Sequence, residues 1–263
     1  MRRAVWLAVV VLGARALGAQ APEDSAGHVF PLIDIGVARS FPATLADRSV
    51  TGPTSVGTEH ESVRLRLSSQ WGIIGEARVP VGRAKVWGID LYGARFRGAA
   101  RVSAAYQVTF TPPDSVTPGT RDSIDWRLTG VTSWRATLGV VRAVPLPARF
   151  TGALLVGGTY GRITSPTVTC VTPPITAPSS VSCPTLDLTT PGATLGADVF
   201  SPSWHGVRLR LAVKDDVLRV DQGEVRRSLH YSWFEAARLG EGGARWAFVP
   251  SATAGVEFRI PLR

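Results

Sequence analysis

Most of the chain alternates apolar and polar residues with a period of two. The alternation is strongest in Val63–Leu67, Val102–Phe110, Val207–Val213 and Val256–Leu262, where apolar side chains occupy every second position. A period of two is that of a β-strand, because successive side chains of a strand point to opposite faces. We therefore predict an all-β chain whose strands each have one apolar and one polar face.

Six further segments alternate more weakly. They are Val29–Ser40, Trp71–Val79, Lys85–Phe96, Ser133–Val144, Phe150–Ile163 and Leu188–Phe200. Together with the four strong segments they predict ten strands, within a range of eight to twelve. The segment Ile124–Leu128 either lengthens a strand or adds one. The segment Val225–Leu239 is compatible with a helix or with a strand followed by a turn.

The predicted connections are of two lengths. Short, proline-containing turns lie at Pro145–Ala148 and Ser201–His205. Long polar connections lie at Phe41–Glu61, Thr111–Ser123 and Thr164–Asp187. Proline and glycine interrupt strands at such places, and an alternation of tight turns with long loops is typical of membrane β-barrels.

Alternation alone does not decide whether the apolar faces meet each other or meet lipid. Charges of both signs lie opposite the apolar faces of several strands, at Glu76, Arg78, Asp90, Asp198, Glu257 and Arg259. Seven of the eight tryptophans follow residue 21, mostly near predicted strand ends, at Trp71, Trp87, Trp126, Trp134, Trp204, Trp233 and Trp246. Tryptophans there are typical of an aromatic girdle at a membrane interface. We therefore predict a closed antiparallel transmembrane β-barrel with apolar residues toward lipid and a narrow polar lumen, without a large open pore.

Residues 1–21 have the pattern of a secretory signal peptide. Arg2 and Arg3 precede the apolar run Ala4–Leu12, and Ala19-Gln20-Ala21 matches a cleavage site, with cleavage after Ala19 or Ala21. The apolar run is too short to span a membrane. We predict export, and a mature barrel over residues 22–263.

Composition excludes several other classes. With 44 % hydrophobic residues and a mean hydropathy of +0.12, the chain is too apolar to be disordered. Its 27 glycines and 19 prolines exclude a long helical bundle. The net charge is +9, but the arginines are spread singly along the strands, so we predict no nucleic-acid partner. Outward-pointing arginines of the loops instead favour contact with the phosphates of anionic lipid headgroups.

The two cysteines are predicted to form a disulfide. Cys170 and Cys183 flank a segment rich in threonine, proline and serine. Exported proteins meet an oxidising compartment in which disulfides persist, and closing a loop of this length removes about 3 kcal/mol of chain entropy from the unfolded state. Two cysteines without a nearby histidine make an incomplete zinc site, so neither a metal nor a cofactor is predicted.

The last predicted strand carries a short pattern of fixed positions. Thr253, Gly255, Phe258 and Ile260 supply its polar residue, its glycine and its two apolar or aromatic residues. This pattern resembles the targeting signal of the bacterial outer-membrane β-barrel family, although the chain ends with Pro261-Leu262-Arg263 instead of an aromatic residue. The resemblance implies a location in a Gram-negative outer membrane. It also implies recognition by the barrel-assembly machinery, and contact with outer-membrane lipids and lipopolysaccharide.

One short motif suggests chemistry. His230-Tyr231-Ser232 resembles the His-x-Ser motif of the outer-membrane lipid A 3-O-deacylases. The resemblance implies His230 as base, Ser232 as nucleophile, and Glu235 or Glu241 as the acid that orients the histidine. The residues after the serine depart from that family and offer no oxyanion donor. We therefore predict no enzyme and keep the hydrolase as an alternative.

These patterns lead to one expected function. We expect a monomeric outer-membrane β-barrel with a structural or surface-interaction role, carried by long extracellular loops. A soluble exported β-sandwich, whose apolar faces meet one another, is the second alternative.

Overall fold

The computed structural model describes residues 32–54, 57–82, 86–110, 121–166, 185–229 and 243–259. The strands are β1 (Leu32–Ser40), β2 (Ala43–Thr54), β3 (Gly57–Leu67), β4 (Gln70–Val81), β5 (Trp87–Phe110), β6 (Arg121–Pro145), β7 (Thr151–Thr164), β8 (Asp187–Phe200), β9 (Val207–Asp221) and β10 (Ala244–Arg259). A 3-10 turn lies at Pro147–Arg149 and helix α1 at Gln222–Leu229. No helix in these ranges is long and apolar enough to cross a bilayer.

Eight of the ten described strands form a closed ring. The order around the ring is β1, β4, β5, β6, β7, β8, β9, β10 and back to β1, and every pairing is antiparallel. A closed ring has no free edge, so its backbone N–H and C=O groups find partners in the neighbouring strands on both sides. The closed barrel predicted from the sequence is confirmed.

Strands β2 and β3 continue two ring strands beyond the ring. Only residues 41–42 separate β2 from β1, and only residues 68–69 separate β3 from β4. β2 pairs with β3, and β3 pairs with residues 100–110 of β5. We call β2, β3 and the outer parts of β5 (100–110) and β6 (121–131) the extension. The end of the barrel that carries it is the extension rim.

The described residues form ten strands, but the closed barrel has eight, which is within the predicted range of eight to twelve and two fewer than the ten expected; some boundaries also differ. The predicted loop Phe41–Glu61 contains β2 and the start of β3, because polar side chains suit a strand whose outer face meets water. The predicted strands Lys85–Phe96 and Val102–Phe110 are one strand, β5, and Ile124–Leu128 lengthens β6. Small residues hide the alternation of β5 near Gly98, where its pairing with β6 shifts register. Residues 111–120 and 167–184, within the other two predicted loops, lie outside the described residues.

The outside of the ring is apolar. Ile73, Leu138 and Leu211 are 66 %, 63 % and 65 % exposed. Other large apolar side chains exposed on ring strands are Ile35, Val37, Val79, Ile89, Leu91, Val140, Leu154, Val156, Leu195, Val199, Leu209, Val213 and Phe248. An exposed apolar surface of this extent marks contact with an apolar medium. We call it the belt. The prediction that apolar faces point toward lipid is confirmed for the ring, and the soluble sandwich alternative is wrong.

The extension has the opposite arrangement. Val63, Leu65 and Leu67 are buried, and Arg64 and Arg66 between them are exposed. The inner core of this region comprises Leu45, Ala46, Val63, Leu65, Leu67, Ala100, Val102, Trp126, Leu128, Val131, Ile163, Leu186, Leu188, Val220, Val225, Leu229 and Ala247. The prediction that the apolar face of β3 meets lipid is therefore wrong, because the outer face of the extension has the charged surface of a protein in water.

Helix α1 closes the inner core of the extension. Val225 and Leu229 on its buried face belong to that core. Asp221 Oδ1 caps the helix by accepting hydrogen bonds from the backbone N–H of Gly223 at 2.7 Å and of Glu224 at 3.1 Å. The sequence left helix and strand open for Val225–Leu239. The helix covers its first residues, and residues 230–242 lie outside the described ranges.

Exposed tryptophans lie at both borders of the belt. Trp71, Trp134 and Trp246 lie toward the extension rim, and Trp87 and Trp204 lie near the opposite rim. Amphipathic rings at the two borders are expected where a barrel meets lipid headgroups. Trp126 does not follow the prediction, because it is buried in the core of the extension. Trp233 lies outside the described residues.

Tight connections mark the rim opposite the extension. Pro145 and Thr151 are joined through the 3-10 turn, in which Ala148 has a φ of 57°, and Phe200 and Val207 are joined through a turn containing Gly206 at φ 80°. A backbone in this left-handed region suits glycine. The short turns predicted at Pro145–Ala148 and Ser201–His205 thus lie at one rim, which we call the turn rim.

The belt predicts how single charges affect stability. Leu211→Arg places a guanidinium on the lipid face of β9, and we expect it to lower the free energy of unfolding in vesicles by about 2–4 kcal/mol. Thr129→Arg, on the exposed outer face of the extension, is the matched control and is expected to have an effect below about 0.5 kcal/mol. Urea unfolding in phosphatidylcholine vesicles measures both. Equal effects of the two substitutions would contradict a lipid-facing belt.

Candidate functional site

A network of buried charges occupies the centre of the lumen. Side chains alternate along each ring strand, so the residues between those of the belt point inward. Glu76 Oε2 accepts hydrogen bonds from Lys214 Nζ at 2.6 Å and from Arg210 Nη2 at 2.7 Å. Its Oε1 accepts a hydrogen bond from Arg78 Nη2 at 2.7 Å. Glu76 thereby joins β4 to β9, which are not neighbours in the ring.

Three aspartates complete this network. Asp198 Oδ2 accepts hydrogen bonds from Arg78 at 2.8 Å and from Arg210 at 3.0 Å. Arg210 Nη1 lies 2.9 Å from Asp34 Oδ2, and Arg78 Nε lies 3.4 Å from Asp90 Oδ1. Three cations therefore face four acids, and together they lie on the five strands β1, β4, β5, β8 and β9. Each of the two arginines has three acidic partners, and the lysine has one.

A second cluster lies beside the first. Arg135 Nη1 donates to Asp216 Oδ2 at 2.5 Å, and Thr194 Oγ1 donates to Asp216 Oδ1 at 2.5 Å. The Arg135 guanidinium carbon also lies 4.8 Å from the centre of the Phe96 ring. One charge-assisted hydrogen bond and a cation–π contact hold this arginine in place.

The charged layer fills the lumen. Asp90, Asp198 and Arg210 are at most 2 % exposed, which is the exposure of a protein core. A continuous water-filled channel would leave the residues that line it accessible. A barrel with eight strands in its ring has room for little more than its own side chains, which agrees with this filling.

Sequence analysis found part of this network. Glu76, Arg78, Asp90, Asp198 and Glu257 point inward and are buried, as predicted, and Arg259 is exposed at the end of β10. It missed Asp34, Arg135, Arg210, Lys214 and Asp216 as members of the network. A signal for Arg210 was present, since it lies between Leu209 and Leu211, whose side chains point outward.

Exposed arginines lie on the outside near the extension rim. Those without an ion pair to a described residue are Arg39, Arg66, Arg95, Arg97, Arg127 and Arg219. Others are paired: Arg101 Nε donates to both carboxylate oxygens of Asp125, at 2.7 and 2.8 Å. These hydrogen bonds lower the pKa of Asp125 below its usual value. The unpaired arginines leave this side of the belt rich in accessible positive charge.

The C-terminal pattern is partly described. Thr253 is buried in the barrel, and Phe258 is exposed on the outside. Gly255 lies where β10 approaches β1, and a Cβ there would be 2.7 Å from Asp34 Oδ1 and 2.8 Å from the carbonyl oxygen of Ile35. Close approach of the two strands therefore requires this glycine. Ile260 lies outside the described residues.

Other residues singled out from the sequence lie outside the described ranges. They are the signal peptide, the cysteines Cys170 and Cys183, and the hydrolase candidates His230, Ser232, Glu235 and Glu241. The predicted disulfide therefore stays a prediction. Among the described residues, no group of three histidine, cysteine, aspartate or glutamate side chains is arranged to hold a metal ion.

Closure of the ring, the apolar belt and the short turns at one rim define the class of this protein. It is a transmembrane β-barrel of the bacterial outer-membrane type, since only closed sheets let strands cross lipid without unpaired backbone groups. The outer-membrane location predicted from the sequence agrees with this class.

Solved outer-membrane barrels are similar in overall arrangement. Ail of Yersinia pestis, in complex with the heparin analogue sucrose octasulfate, is 13 % identical; the match covers 89 % of this chain and all of that chain, with a TM-score of 0.42. OprG of Pseudomonas aeruginosa is 13 % identical over 91 % of this chain and all of that chain, with a TM-score of 0.42. Neisserial surface protein A is 10 % identical over 90 % of this chain and all of that chain, with a TM-score of 0.40.

Ring closure and the apolar belt of the molecule itself define the barrel. No family model matches the chain, and no curated protein matches its sequence.

The charge network predicts a stability difference between two carboxylates. Glu76→Gln leaves Lys214 and Arg210 without their shared partner in a buried layer, so we expect the free energy of unfolding to fall by about 3 kcal/mol. Asp47→Asn removes the acid of the exposed Arg64–Asp47 pair and is expected to cost less than about 1 kcal/mol. Denaturant unfolding in vesicles compares them, and similar losses would show that the lumen network does not stabilise the barrel.

Proposed function

We propose that the protein is a monomeric outer-membrane barrel with a sealed lumen, whose extension is its working part at the cell surface. The main support for this proposal is that buried charges fill the lumen below the extension, while the outer face of the extension has the polar surface of a protein in water. The turn rim lies in the periplasm and the extension rim outside the cell, because short turns are periplasmic in barrels of this class. The role is structural or one of surface interaction.

The outer face of the extension supports a surface role. An open groove of about 370 Å³ runs over it between two ion pairs, and its lining includes the side chains of Ser62, Ser103, Ser123, Asp47 and Asp125. Hydroxyl and carboxylate groups side by side can hydrogen-bond polar partners such as glycans or peptides. Sequence analysis placed the working part in long loops, and paired strands of the extension supply a firmer platform than loops do.

Partners follow from the surface chemistry. The exposed arginines near the extension rim suit the anionic headgroups of outer-membrane lipids and lipopolysaccharide. The pattern at Thr253, Gly255, Phe258 and Ile260 supports delivery to the barrel-assembly machinery.

The orientation can be tested on whole cells. Ser123→Cys places a thiol on the exposed extension, and Ser203→Cys places one in a tight connection of the turn rim. With a membrane-impermeant maleimide we expect labelling of the first variant on intact cells, and of the second only after the outer membrane is permeabilised. The wild-type chain gives the background from Cys170 and Cys183. The reverse labelling pattern would overturn the orientation.

The sealed lumen can be tested by conductance. Because described side chains fill the charged layer, we expect planar-bilayer recordings of the refolded protein to show no stable conductance in the nanosiemens range. An open general porin, reconstituted in the same bilayers, is the control. Long-lived nanosiemens steps that depend on the protein would contradict a sealed barrel.

A further inference from the structure

An open groove lies on the outside of the barrel, at the border between the belt and the extension. It has a volume of about 670 Å³ and spans β4, β5, β6 and the end of β7. Its lining includes Trp71, Ile73, Arg95, Arg97, Thr132 and Ser165. One side of the groove is therefore apolar, and the other carries two guanidinium groups and two hydroxyls.

Strand register creates this grouping. Trp71 pairs with Arg97, and Arg97 pairs with Thr132. Two residues further along each strand toward the turn rim, Ile73 pairs with Arg95. Residues two apart on a strand share a face, so all five side chains lie on the outside of the barrel.

The two arginines of the groove lack a counter-charge within the described protein. Arg95 and Arg97 are exposed, and neither forms an ion pair with a described residue. By contrast, Arg162 nearby makes two hydrogen bonds of 2.7 Å to Asp187. Two adjacent unpaired guanidinium groups beside hydroxyls form a favourable site for a phosphate, which can accept several charge-assisted hydrogen bonds.

A strip of the barrel wall that has no large side chains continues from the groove into the belt. Gly75 pairs with Gly93, and Gly93 pairs with Ala136, so three small residues lie side by side on the lipid face. A Cβ added at Gly75 would meet nothing within 4 Å, and one at Gly93 would meet only the carbonyl oxygen of Gly75, at 3.9 Å. The strip is a shallow trough.

Larger apolar side chains border this trough. Ile73 and Leu91 are exposed on either side of it along their strands. Tyr160 pairs with Ala136, and Trp134 lies two residues before Ala136 on β6, toward the extension rim; their ring centres are 5.7 Å apart. A trough with these borders can hold a length of hydrocarbon chain against the wall of the barrel.

We propose that this groove binds one phosphorylated, acylated lipid of the outer leaflet. Its phosphate lies on Arg95 and Arg97, and an acyl chain lies along Gly75, Gly93 and Ala136. The inference rests on the proposed membrane location, because the trough opens onto the belt. Continuity with the belt favours a lipid over a soluble phosphate, and the position of Trp71 at the border places the arginines at headgroup height.

Native mass spectrometry of the full refolded chain in detergent tests whether Arg95 and Arg97 bind the phosphate group. The probe is hexa-acylated, bis-phosphorylated lipid A, and the same lipid A with both phosphates removed is its control. We expect the R95Q/R97Q variant to lose about tenfold or more in apparent affinity for the phosphorylated probe. R149Q/R259Q removes the same charge from two exposed arginines near the turn rim, away from the groove, and is expected to stay within about twofold of wild type. Equal losses in both variants would overturn a defined site in favour of diffuse attraction.

A second pair of substitutions tests whether an acyl chain lies in the trough. G75L/G93L fills the trough, and the open space at both positions lets the backbone stay unchanged. We expect it to weaken lipid A binding about tenfold and to leave the weak binding of inorganic phosphate unaffected. Unchanged lipid A affinity would overturn the acyl contact and leave a site for free phosphate only.

Folding and location are measured separately. Heat-dependent gel migration of each variant reports whether the barrel has formed, so a lost affinity in a folded variant counts for the site. Membrane fractionation of cells tests the proposed location independently. A chain absent from the outer membrane that still binds lipid A through Arg95 and Arg97 would refute the location and not the groove.

Discussion

Closure of the strand ring is the constraint on which the rest of the structure depends. Once β1 pairs with both β4 and β10, no ring strand has a free edge, and the wall can stand in lipid. The wall is a single β-sheet. Successive side chains of a strand therefore point alternately to the outside of the barrel and into its lumen. The belt and the buried charges are two results of this one geometry. Glu76 meets Arg210, 134 residues away in sequence, only because the ring brings β4 and β9 across a narrow lumen.

Along the single strand β5, the apolar side chains change from the outer face to the inner face of the barrel. In the part of β5 inside the ring, Leu91 points outward to lipid and Asp90 points inward. Further along the strand, Arg101 points outward and Val102 points inward. The chain does not change its period at this border; it changes which residue type occupies each face. Outside the membrane, water replaces lipid at the outer surface, and the interior becomes the apolar side.

In the described part of the chain, buried charges fill the lumen, and two outer surfaces carry the side chains proposed to meet partners. The buried charges lie in ion pairs with one another, and Glu76 accepts hydrogen bonds from three cations on β4 and β9, so the charged layer ties opposite sides of the wall together. Among the described residues, these surfaces are the outer face of the extension and the groove at the border of the belt. These two surfaces differ in chemistry: the first offers paired charges and hydroxyls to water, and the second offers the unpaired Arg95 and Arg97 beside lipid.

The sequence by itself determined the β-strand periodicity, the positions of the tight turns, and the facing charges at Glu76 and Asp198, because each depends on neighbouring residues alone. Only the tertiary structure decided that Phe41–Glu61 forms strand rather than loop, that two predicted strands are the single strand β5, and that Val63–Leu67 turns its apolar face inward. Alternation is identical for a strand with lipid outside and one with water outside. The two strands differ only in whether lipid or water surrounds their outer face. That depends on where ring closure places each part of the barrel wall.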